Sequence, residues 1–136
     1  MPFVLDASVT IGWCLQDEAY PYARDVMSRL QHDTACVPAI WAVEVANVLI
    51  VALRRGRSTE NAIHQVMAWL PRLEIMPDDR VYGGGLPAEV VRLAIAHGLT
   101  AYDASYLELA QRLAIPIAAL DEKLKQAAEA LGVGLV

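Results

Sequence analysis

"IPIAALDEKLKQAAEALG", residues 115–132, decides the fold. An apolar run over 115–120 reads as a strand buried on both faces, and it stops at an acid, Asp121. A helix over 122–132 follows without a linker and closes on glycine. A strand running directly into a helix is half of the repeating unit of a parallel sheet. The N-terminus repeats the pattern: "FVL" (3–5) is a short buried strand that stops at Asp6, with a small hydroxyl at Ser8 just behind it.

The same alternation fills the chain between them. The pattern predicts a helix over "YPYARDVMSRLQ" (20–31), a strand at "ACVP" (35–38) and an apolar helix over "IWAVEVANVLIVALRR" (40–55). Ser58 or Thr59 then caps a helix reaching about Leu70, ahead of Pro71. A third strand at "LEIMP" (73–77) precedes a helix over "PAEVVRLAIAHG" (87–98), with proline at its start and glycine at its end. A further helix over "DASYLELAQRLA" (103–114) leads into the 115–120 strand, and "VGLV" closes the chain as a candidate last strand. The expected architecture is α/β: a three-layer α/β/α sandwich around a central, mostly parallel sheet.

The chain has 136 residues, of which 56% are hydrophobic and 20% charged, so a single globular domain over 1–136 with a sizeable core is expected. No apolar run approaches the roughly 20 residues of a membrane helix. No basic leader precedes the first apolar run, and Cys14 and Cys36 match no metal or redox spacing, so a cytoplasmic location is the expectation. A net charge of −5 argues against a nucleic-acid partner unless bound cations reverse the local sign.

Four of the sixteen acids stand apart. Asp6 and Asp121 each end an apolar strand, where open parallel sheets place their ligand sites. Glu44 lies on the apolar stripe of its helix among Ile40, Trp41, Val48 and Val51, with Asn47 the other polar group on that face. Asp103 opens a helix between Tyr102 and Tyr106. Taken singly, Asp103 and Asp121 also read as helix caps, and Asp6 as an Asx turn with Ser8. Together, four carboxylates converging on one pole of a sheet would either take up protons or bind cations. Hard oxygen donors in that number suit Mg²⁺ or Mn²⁺, and such a site suits phosphodiester hydrolysis by metal-activated water. His32, His64 and His97 are scattered and offer no general base.

With these residues assembled, the sequence resembles the PIN domain, and within it the VapC-type toxins of prokaryotic toxin–antitoxin pairs. The resemblance runs through "FVLDASV", "PAIWAVEVANVL", "GLTAYDASYLELA" and "PIAALDEKLKQAA", in order and at fitting separations. It implies an α/β/α fold and a Mg²⁺- or Mn²⁺-dependent endoribonuclease leaving 5′-phosphate and 3′-hydroxyl ends. Carried over by position, the resemblance makes Asp6 and Asp103 the principal metal ligands, while Glu44 and Asp121 ligate a second ion or hold waters on the first. Ser8 supports Asp6 or a metal-bound water, and Asn47 orients Glu44. The resemblance further implies an RNA substrate, a cognate antitoxin and a homodimer, with no membrane partner. Two rivals stay open on the residues themselves: a PIN-like RNA- or protein-binding module without activity, and a Mg²⁺-dependent phosphatase of the haloacid-dehalogenase type. The phosphatase would want an acid where Ser8 stands. "VYGGGLP" (81–87) departs from the family pattern and reads as a surface loop.

Overall fold

Phe3–Leu5 form strand β1, and all three residues are buried. A computed structural model describes residues 1–15 and 20–136 of the chain. The remaining strands are β2 (Ala35–Val37), β3 (Ile75–Pro77) and β4 (Ile117–Ala118). They pair in the order β3-β2-β1-β4, every pair parallel, with Val4 opposite both Cys36 and Ile117. The mostly parallel sheet expected from the sequence is therefore parallel throughout. "VGLV" contributes an isolated parallel bridge, Leu135 beside Ile117, rather than a full strand.

Among the described residues the α-helices are α1 (Ala7–Cys14), α2 (Pro21–Arg29), α3 (Ile40–Arg54), α4 (Glu60–Trp69), α5 (Ala88–His97), α6 (Ala101–Leu113) and, after β4, α7 (Glu122–Ala130). They flank the sheet as expected of the three-layer α/β/α class. Thr59 rather than Ser58 caps α4, accepting the Ala62 N–H at 3.1 Å. Gly98 ends α5 at φ 64°, a left-handed conformation that favours glycine. Helix α6 begins two residues earlier than the sequence pattern placed it, because Thr100 and not Asp103 is its cap.

Helix α1 has no counterpart among the expected elements. Its eight residues, "ASVTIGWC", include three β-branched side chains and a glycine and show no apolar stripe. Two other sources hold it: Asp6 caps its first turn, and it packs against α2 and α3. Thr10, fully buried on α1, accepts the Trp41 indole N–H at 2.9 Å. Trp13 donates its own to the Ala23 carbonyl at 2.6 Å. Both tryptophans are thus packing residues with a satisfied polar edge.

The core runs from β1 and β4 into α6, where Tyr106, Leu107 and Leu109 are buried. Among the described residues only three polar or charged side chains are buried: Asp6, Thr10 and Glu108. Thr10 has its indole partner. The two carboxylates lie at the carboxyl pole of the sheet and on α6, and each needs its own account.

Candidate active site

Every strand of this sheet points its carboxyl end the same way, so the residues following the strands gather at one pole. Asp6 follows β1 directly and is 3% exposed. Its Oδ2 accepts two bonds from Ser8, one from the hydroxyl and one from the backbone N–H at 3.3 Å. The Ser8 hydroxyl oxygen in turn accepts the Leu120 N–H at 3.0 Å. One hydroxyl therefore ties the start of α1 to the segment leaving β4, immediately before Asp121. Asp121 caps α7, its Oδ1 accepting the Leu124 N–H at 2.9 Å. Asp103 sits in the first turn of α6, where Thr100 Oγ1 accepts its N–H at 3.1 Å. Glu44, in the second turn of α3, is half-buried and accepts the Tyr106 hydroxyl at 2.8 Å.

The four carboxylates feel one another. Burial pushes Asp6 up to about 6, against 3.8 normally; the Ser8 bonds partly offset this, while the charges of Asp103 and Glu44 add to it. Glu44 is raised by burial and by Asp103, with the Tyr106 bond opposing. Asp103 is raised by burial and by Asp121. The chain of influence links all four, Asp6 with Glu44 and Asp103, and Asp103 with Asp121. None of the ion pairs among the described residues involves any of them.

The donor chemistry fits a hard divalent cation: carboxylate oxygens, mutually repelling, with no lysine or arginine among the described residues in an ion pair with them. As they stand, no three His, Cys, Asp or Glu side chains among the described residues converge closely enough to hold one ion. Space is available on the Asp121 side, where Ser8, Ile11, Tyr20, Leu120 and Asp121 line a cleft of about 380 Å³. A larger cavity, about 570 Å³, lies elsewhere, lined by Trp13, Arg57 and Trp69 among others and by none of the four acids.

The two supporting residues differ in placement. Ser8 contacts Asp6 directly. Asn47 is exposed, and no hydrogen bond joins it to Glu44 among the described residues. The group that holds Glu44 is Tyr106, fully buried and sixty-two residues away in sequence. Its proximity to Asp103 was legible, but its bond to α3 had no signal in the sequence. Burial and the Glu44 charge keep the Tyr106 phenol protonated far above neutral pH, so its hydroxyl proton stays available to Glu44. Tyr106→Phe is expected to raise the pKa of Glu44 further and to cost about 1.5–3 kcal/mol of stability, the worth of a bond to a charged acceptor. Chemical denaturation and a carboxyl-carbon NMR titration of Glu44 would check both.

Comparison with known proteins decides the family. The family model described as "PIN domain" matches residues 3–130. The chain belongs to the PIN domain family. Ribonuclease VapC3 of Pyrobaculum aerophilum is 29% identical over 135 residues, covering 96% of this chain and 98% of that protein. Among solved structures, PAE2754 of Pyrobaculum aerophilum superposes with a TM-score of 0.66 at 22% identity, covering 93% of this chain and 79% of the other. VapBC2 of Rickettsia felis, solved bound to a DNA fragment from its promoter, gives a TM-score of 0.64 at 13% identity, with 100% and 98% covered. FitAcB of Neisseria gonorrhoeae gives 0.61 at 20% identity, with 99% and 96% covered. At these identities the structural matches speak to the PIN fold itself.

Proposed function

We propose that this PIN domain is a divalent-metal-dependent endoribonuclease of the VapC type, the toxin of a toxin–antitoxin pair. The observation that carries the reading is the group of Asp6, Glu44, Asp103 and Asp121, in which Asp6, Glu44 and Asp103 are raised by burial and by one another or by Asp121. The naming of a near full-length relative as a ribonuclease supports it. Asp6 and Asp103 would hold Mg²⁺ or Mn²⁺, with Glu44 and Asp121 ligating a second ion or holding waters on the first. When bound, such an ion lowers the pKa of water to supply a nucleophile and offsets charge on the phosphoryl oxygens.

The chain's own residues do the positioning. Ser8 fixes the Asp6 carboxylate through two donors and ties it to the β4 exit. Tyr106 aims Glu44. The first turn of α6 sets Asp103, and the α7 cap sets Asp121 while leaving Oδ2 without that bond. An antitoxin partner is supported by the VapBC2 structure among the neighbours in fold. No helix among the described residues is long and apolar enough to cross a membrane. A cytoplasmic location and a homodimer belong to the same proposal.

The test is cleavage of transfer, ribosomal and messenger RNA by purified protein, with EDTA and with Mg²⁺ or Mn²⁺ restored. Cleavage dependent on the ion, leaving 5′-phosphate and 3′-hydroxyl ends, is expected. No cleavage of any RNA under either ion, or cleavage that persists in EDTA, would overturn the reading.

A further inference from the structure

The second buried carboxylate, Glu108, belongs to a different arrangement. It is 5% exposed and accepts from two arginines: Arg112 Nε at 2.8 Å and Arg80 Nη1 at 3.0 Å. Arg112 also reaches Asp78 Oδ2 at 2.6 Å. The two carboxylates and two guanidinium groups balance in charge, and they clamp the segment leaving β3 onto α6. A network of this kind is weak evidence for stability. Its evident consequence is to hold Arg80 in one place.

Arg80 remains 46% exposed at its side chain although its carboxylate partner is buried. Its guanidinium lies 5.5 Å from the centroid of the Tyr82 ring, itself 42% exposed. The pair lines a cleft of about 380 Å³ with Val43, Ser105, Asp78 and Glu108. Val43 adjoins Glu44 in α3 and Ser105 stands two residues after Asp103 in α6, so the helices that carry two of the acids also wall this cleft. One of five guanidinium N–H donors goes to Glu108, leaving others for a ligand.

We propose that this cleft is a nucleotide subsite: a base of single-stranded RNA stacks on the Arg80–Tyr82 pair, and Arg80 donates to the adjoining phosphate. The inference rests on the nuclease reading for its RNA and deepens it. Bases stack on tyrosine rings and on guanidinium planes alike, and such stacking tolerates any base. A pre-held Arg spends little further side-chain entropy on binding. In a chain of net charge −5, a fixed cation in this cleft also gives the substrate backbone a favourable contact that the acidic site alone withholds.

The test uses the Asp6→Asn chain, which leaves RNA intact, with two labelled octamers read by fluorescence anisotropy: a single-stranded RNA and a strand abasic throughout. Tyr82→Leu is expected to weaken RNA binding about tenfold and leave the abasic strand unaffected. Arg80→Gln is expected to weaken both strands, and Tyr82→Phe to bind like its parent. Tyr82→Leu binding RNA within about twofold of the parent, or losing both strands equally, would overturn the subsite. So would loss of affinity for an acidic peptide in place of RNA, which would assign the cleft to a protein partner. A chain that cleaves RNA yet shows no Tyr82 dependence sinks the subsite alone. A chain that cleaves nothing yet loses only the base-bearing strand in Tyr82→Leu keeps the subsite and sinks the nuclease.

Discussion

Asp6→Asn is expected to reduce RNA cleavage by more than about a hundredfold while the fold survives. Asparagine nearly matches aspartate in shape and is an equally good helix cap, so α1 keeps its start. Its amide oxygen can still accept the Ser8 hydroxyl, which leaves Ser8 free to accept the Leu120 N–H. The charge alone is lost. A carboxylate that is 3% exposed and makes no ion pair among the described residues is destabilising unless an ion binds it, so the substitution should not lower the melting temperature near neutral pH. Cleavage of labelled RNA, beside circular dichroism melts of both chains, checks the two halves together. Equal cleavage by carefully purified Asp6→Asn would remove Asp6 from the chemistry.

The second large effect is on stability. Burial holds Asp6 at about 6 in the folded chain against 3.8 in the unfolded one. Between those values the folded chain binds more protons, so stability falls as pH rises through this window. The penalty is absent below about pH 4, where both states are protonated. It is complete above about pH 6, where it amounts to about 3 kcal/mol. Glu44 and Asp103 are shifted in the same direction and add to the slope. Asp33 and Glu89 are shifted the opposite way by the N-terminal amine and Arg92, but they are exposed pairs that solvent screens. The wild-type chain should therefore melt several degrees higher at pH 5 than at pH 7.5, and Asp6→Asn should flatten the difference. Mg²⁺ or Mn²⁺ added at pH 7.5 should restore much of the loss, since an ion that binds only the folded chain stabilises it. A melting temperature that rises with pH equally in both chains would show that Asp6 carries no such penalty.

The acids and the strands that carry them were readable because their signals are local. An apolar run that ends at Asp6 or Asp121 can be seen within a few residues, as can Glu44 interrupting the apolar stripe of α3. Helix α1 could not be read. Its residues favour no period, and it owes its existence to the Asp6 cap and to packing against α2 and α3. Asn47 shows the limit of spacing as a guide. It stands one turn from Glu44 on the same helix, yet it faces solvent, and Tyr106 on another helix makes the bond.

By itself, then, the amino-acid order settled the alternation of strand and helix and which four carboxylates interrupt it, because burial patterns repeat over short stretches of chain. Only the tertiary structure decided the strand order, the partners Ser8 and Tyr106, and the clamp of Glu108 on Arg80. Those contacts join residues from distant parts of the chain, and a hydrogen bond or a stacked ring depends on where folding brings two groups rather than on how they are spaced in sequence.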